Sequence, residues 1–209
     1  MHLFMINIGC FHFLAFPLML AVMAPIASDS WACACCTNRG DRTVATRELD
    51  QSQSEIIKQF RFAPQARLSY GEMDLEDVRG ITVKSGVLNI RVDKNKNIWK
   101  LSFDDRRGNT GTLAFSLPRT ISIFEVDTRS RSGVESLGGG PLLYKEWKLT
   151  TGATGDGMLQ GSVGRGQRAT IIFHGRGNHC TSVEDFNAWT LVLWGPKAHV
   201  SLFGQLGQK

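Results

Sequence analysis

From residue 81 to residue 203, apart from an aperiodic loop over 128–141 that carries the three glycines Gly138 to Gly140, the apolar side chains of this chain recur at every second position. That period belongs to strands with one buried face, because successive strand side chains point to opposite sides of a sheet. Runs of this kind occupy 81–84, 87–92, 98–103, 112–117, 120–126, 145–151, 158–163, 168–174, 189–194 and 199–203. They are short and set apart by Gly, Asn, Asp and Pro, and the 22 glycines suit many turns. The expected fold is all-β, an antiparallel β-sandwich or barrel of about nine to eleven strands. One short amino-terminal helix is expected ahead of them, at about 53–60. Ser52-Gln53-Ser54-Glu55 has the S-x-x-E form of a capping box, Ile56, Ile57 and Phe60 follow at helical spacing, and Pro64 stops the run.

The amino terminus points to a compartment. Residues 3–27 contain no Asp, Glu, Lys or Arg and lead into small residues. Residues 1–32 are expected to be a signal peptide, with Ser30-Trp31-Ala32 directing cleavage before Cys33; Ala32-Cys33-Ala34 offers an alternative before Cys35. The run is also long enough to serve as a retained amino-terminal membrane anchor. Either outcome makes residues 33–209 a single exported β-rich domain, secreted or periplasmic after cleavage and membrane-anchored if the run is retained. Removing 1–32 takes away one acid, Asp29, and no base, so the net charge rises from +5 to +6. Outside the cytoplasm, a basic surface suits an anionic envelope component, an acidic polysaccharide or an acidic protein, and no nucleic-acid partner is expected.

Export leaves Cys33, Cys35, Cys36 and Cys180. In an oxidising compartment these read as two disulfides with three possible connectivities. A vicinal Cys35–Cys36 bridge is strained, which favours Cys180 pairing with Cys35 or Cys36. The alternative is a soft-ligand metal site built from Cys33, Cys35, Cys36 and His179.

Three further stretches carry candidate chemistry. Glu72-Met73-Asp74-Leu75-Glu76 places three carboxylates on one face if it is a strand. The stretch resembles the E-x-D-x-E signature of laminarinase-like β-glucanases, which are β-sandwich enzymes. That resemblance implies retaining glycoside hydrolysis, with Glu72 as nucleophile, Glu76 as acid/base and Asp74 between them. The Gly-rich segment from His174 to Cys180 offers Arg176 and Asn178 to a ligand, or else forms a tight loop delivering Cys180 to its partner. Of the tryptophans, Trp99, Trp147 and Trp189 fit the core. Trp194 falls on the opposite face from Trp189, Leu191 and Leu193 and is the exposed candidate.

Other matches reduce to structure. Asp93-Lys94-Asn95-Lys96-Asn97 starts like a calcium loop, but Ile98 stands where that loop needs Gly, so a polar hairpin turn is expected. Arg39-Gly40-Asp41 is a short integrin-type triplet in the polar surface arm expected over residues 37–50. No G-x-S-x-G, H-E-x-x-H or phosphate-binding loop occurs. The function expected from sequence is a non-catalytic binding module with no cofactor; the glycosidase and the thiol/His metal protein are the alternatives.

Overall fold

A computed structural model describes residues 39–70, 78–129 and 143–207. Eleven strands run β1 Arg42–Glu48, β2 Arg61–Ser69, β3 Val87–Asn95, β4 Ile98–Asp104, β5 Thr110–Ser116, β6 Thr120–Asp127, β7 Leu143–Thr151, β8 Ala153–Gly157, β9 Arg168–Gly177, β10 Phe186–Trp194 and β11 His199–Gly207. One α-helix, α1, spans Gln51–Gln59, and short 3-10 turns sit at Gln160–Ser162 and Val183–Asp185. The strands form one sheet in the order β1-β6-β7-β9-β10-β11-β2-β3-β4-β5-β8, and every ladder is antiparallel.

The sheet is curled onto itself. Trp99 on β4 and Phe173 on β9 lie five ladders apart, about 24 Å if the sheet were flat. Their ring centroids are 6.2 Å apart. The two halves of the sheet therefore face each other across one core, to which every strand from β2 to β11 except the thin β8 contributes a buried apolar residue. Phe62 joins the layers, with ring centroids 5.8 Å from Trp99 and 5.3 Å from Trp189. Phe60, at the end of α1, closes one end of the sandwich against Phe173 and Phe186 at 4.5 and 5.1 Å. The expected all-β class holds.

Several local expectations are corrected. The helix begins earlier than its S-x-x-E signal, and its cap is Asp50 rather than Ser52. The Asp50 carboxylate accepts from the Gln53 backbone N–H at 2.8 Å, and the Gln53 side chain accepts from the Asp50 N–H at 3.3 Å. This register puts Gln53 and Ile57 on the buried face with Phe60 just beyond, and core packing selects it between two competing caps. Residues 42–48, expected to be a polar arm, form edge strand β1. Its pattern carries no alternation because it is exposed on nearly every residue. Pro64 lies inside β2, where it is tolerated because the ladder to β3 begins only at Gln65.

Residues 81–84 form no strand. Thr82 N–H donates to the Met158 carbonyl and Lys84 N–H to Asp105, so their backbone is satisfied outside any ladder. Residues 158–163 form a turn with buried Met158 and Leu159 in place of a strand, and the strand lies just before them at β8. The polar hairpin turn expected over 93–97 is shorter: β3 runs on to Asn95, and Lys96 and Asn97 alone make the turn into β4.

Candidate functional site

Outward-facing positions of β7, β9 and β10 carry a connected polar cluster. Glu146 and His174 are direct cross-strand partners, and Tyr144 and Thr190 sit one diagonal step away. The Tyr144 hydroxyl donates to Glu146 Oε1 at 2.7 Å and lies 3.1 Å from His174 Nδ1. His174 Nε2 is 2.9 Å from Thr190 Oγ1. Lys148 Nζ holds the other Glu146 oxygen at 2.7 Å. Burial, with the Glu146 carboxylate beside it, pushes the Tyr144 phenol up to about 12. Burial lowers the His174 pKa, against the pull of Glu146. Burial opposes ionisation of Glu146, but Lys148 and Tyr144 outweigh it and hold the carboxyl below its usual value.

A second feature is an opening in the sheet. β2 and β3 pair only from Gln65 to Arg67 against Val87 to Asn89, and the strands part beyond that point, where Pro64 has no N–H to donate. The gap is a groove of about 690 Å³ lined by Lys58, Gln59, Phe60, Arg61, Phe62, Pro64, Ile90, Arg91, Val92 and Lys94. Four of these residues are cationic and none is acidic. Lys94 Nζ lies 4.4 Å from the Trp99 ring centre and donates to the carbonyls of Ile57, Lys58 and Phe60 at the end of α1. Burial lowers its pKa to about 8. With Lys94 engaged by the helix end, Lys58, Arg61 and Arg91 remain as exposed cations around an apolar floor.

A third feature lies inside. Lys145 occupies a core position of β7 between Leu143 and Trp147 and is 0 % exposed. Its ammonium donates to Thr181 Oγ1 at 2.6 Å and to Asp185 at 3.0 Å, with Glu125 at 4.0 Å. This lysine ties β7 to the segment that follows β9. Gly175 and Gly177 make the crossing possible: a Cβ at either would stand 1.9 Å from the Asp185 carbonyl oxygen or 2.2 Å from its carboxylate. The alternating glycines thus serve close packing of the Val183–Asp185 turn. Beside Lys145, a polar cavity of about 360 Å³ is lined by residues that include Arg47, Gln53, Glu125, Trp147, His179 and Thr181. Trp147 Nε1 has no hydrogen-bond partner among the described residues.

The structure scatters the sequence candidates. Arg176 pairs with Tyr144 at one end of β9, while Trp194 pairs with Arg168 at the other, about 26 Å along the strand. Arg176 and Trp194 therefore do not share a site. Trp194 is 45 % exposed and donates to Thr170 Oγ1 at 3.2 Å, whereas Trp99, Trp147 and Trp189 are buried, as their positions in the strands suggested. Asn178 Oδ1 is buried without a partner among the described residues. Cys180 is exposed and disulfide-bonded. Glu72, Asp74, Glu76, Cys33, Cys35 and Cys36 lie outside the described residues, as does the glycine run 138–140. Among the described residues no three His, Cys, Asp or Glu side chains gather as a metal set, and no helix is long and apolar enough to cross a membrane.

Sequence reading missed the cationic groove, the Lys145 pairing and the Tyr144–His174 cluster. Only Lys145 left a trace, as a charge at a core position of an alternating strand. Comparison with family models, with characterised proteins and with solved structures finds no match for this chain.

Proposed function

We propose that this protein is an exported module that binds an anionic envelope component in the groove between β2, β3 and the end of α1. The observation that carries this reading is the groove lining, with four cations, no carboxylate and an apolar floor in a space the size of a small-molecule site. The basic balance of the whole chain, +5, favours the same class of ligand. The uncharged run 3–27 and the disulfide-bonded Cys180 support export.

The binding test uses phosphatidylglycerol vesicles and polygalacturonate as anionic probes, with phosphatidylcholine vesicles as the neutral control. At least one anionic probe is expected to bind in a salt-sensitive way. The double variant Arg61→Glu/Arg91→Glu is expected to lose about 30-fold in affinity, at about 1 kcal/mol per basic contact. Both side chains are exposed, so the fold is retained. Failure of every anionic probe, or equal binding by the variant, overturns the reading. Export has its own test in the intact mass of the natively produced protein, before and after reduction and alkylation. A mature chain beginning at Cys33, with no alkylatable thiol before reduction, is expected; one beginning at Cys35 would keep three cysteines and show one alkylatable thiol. A retained amino terminus with free thiols contradicts a cleaved, disulfide-bonded form.

A further inference from the structure

We infer that the outer face of β7, β9 and β10 carries a nucleophilic site, in which His174 is the general base for the Thr190 hydroxyl and Tyr144 and Glu146 set the histidine's orientation. This site is separate from the cationic groove and does not depend on it.

The argument rests on where each proton must sit. A phenol has one proton, and that of Tyr144 is donated to Glu146 Oε1 at 2.7 Å. Its contact with His174 Nδ1 at 3.1 Å is then a hydrogen bond only if Nδ1 carries the proton and donates it. Glu146 Oε1, 3.7 Å from the same nitrogen, favours that tautomer as well. The neutral ring consequently has its lone pair on Nε2, which lies 2.9 Å from Thr190 Oγ1 and accepts from it. Every donor thus points one way, from Thr190 to His174, to Tyr144 and to Glu146, and Lys148 neutralises the far end at 2.7 Å. The same polarity activates the hydroxyl in nucleophile–base–orienter constellations, with a tyrosine placed between base and carboxylate here. The charged and titratable groups around the ring are Tyr144, Glu146 and Lys148 from β7 and Arg176 on its own strand; the β10 neighbour, Thr190, is uncharged.

The step this arrangement supports is acyl transfer. Thr190 Oγ forms a bond to the carbonyl carbon of an ester as its proton passes to His174 Nε2. The ester C–O bond then breaks, and the leaving alcohol takes that proton. Water, deprotonated by the same nitrogen, later cleaves the Thr190 ester and restores the hydroxyl. β10 is paired on both sides from Ala188 to Trp194, so its ladder offers no pair of free backbone N–H groups to an oxyanion. Such donors are worth about 10²–10³ in rate each, so acylation is confined to activated esters and turnover is slow.

The test is to incubate the full oxidised chain with p-nitrophenyl acetate and with a fluorophosphonate, then map adducts by peptide mass. An adduct on Thr190 is expected. Thr190→Val is expected to abolish it, and His174→Gln to slow labelling by about 100-fold or more. Tyr144→Phe removes the link to Glu146 and is expected to slow labelling and to move its pH profile, which a purely structural tyrosine would not do. No adduct on Thr190, or labelling of Thr190 undiminished in a folded His174→Gln variant, overturns the assignment.

Discussion

Replacing Lys145 with methionine is expected to destabilise the protein by about 3 kcal/mol, measured as the loss in unfolding free energy in urea with the disulfide intact. The side chain is wholly buried, and its ammonium serves Asp185, Thr181 and Glu125 at once. Methionine fills nearly the same volume and keeps the apolar packing. What it removes is the only cation among these groups, which leaves the largely buried carboxylates of Asp185 and Glu125 without that charge beside them. Asp185 also accepts from the Ser182 backbone N–H at 3.2 Å, so losing its partner loosens the turn that packs on Gly175 and Gly177. Asp185→Asn is expected to cost a similar amount. The double variant is expected to cost less than the sum, because the two substitutions remove one shared interaction. Lys148→Met is the contrast: this lysine is 40 % exposed, and its pair with Glu146 is expected to contribute under about 1 kcal/mol. An equal effect of the two lysine substitutions would contradict the account.

Asp105→Ala carries the second large effect, also about 3 kcal/mol. This carboxylate is 1 % exposed and accepts four hydrogen bonds. They come from the backbone N–H groups of Lys84, Arg107 and Asn109 at 2.9, 2.8 and 3.0 Å and from the Asn109 side chain at 2.7 Å. It therefore holds the β4–β5 turn and clamps residue 84 beside it. Burial pushes its pKa up, but the four donors outweigh burial and set it at about 2.

The pH dependence follows from that sign. The unfolded chain binds this proton near pH 4 and the folded chain only near pH 2. Between those values the unfolded state carries more protons, so stability falls as the solution is acidified through that window and is fully present above it. Urea midpoints measured from pH 5 to pH 2 are expected to fall more steeply for the parent than for Asp105→Asn. Parallel curves would remove Asp105 as the source.

Much of the fold is visible in single strands. Trp189, Leu191 and Leu193 alternate against Thr190, Val192 and Trp194, and the structure buries the first set and leaves Trp194 exposed. The same reading works for β4, β5, β6 and β11, because each has one apolar face and one wet one. It fails where that contrast is missing. β1 has almost no buried residue, β8 is Ala-Thr-Gly-Asp-Gly, and β2 contains a proline that only an unpaired stretch admits. It misleads at 81–84 and 158–163, where apolar residues are buried by turns that dock on the sheet. Helix α1 was placed from its spacing, but its first residue was decided by which cap let Ile57 reach the core.

The candidate sites belong to a different level. Tyr144, Glu146, His174 and Thr190 span three strands, and nothing local in 144–146, 174 or 190 marks them as partners. They meet because β7 pairs with β9 and β9 with β10 in one register. The groove exists because β2 and β3 separate after three paired residues. By itself the sequence determined the strand class, the inward and outward faces of most strands and the place of the helix, since period and capping act between residues a few positions apart. Only the tertiary structure decided which strands are neighbours, where the sheet parts and which lysine is buried. Those outcomes depend on the return path of the chain and on the register of each ladder, and a shift of one residue would turn every side chain of a strand to the other face.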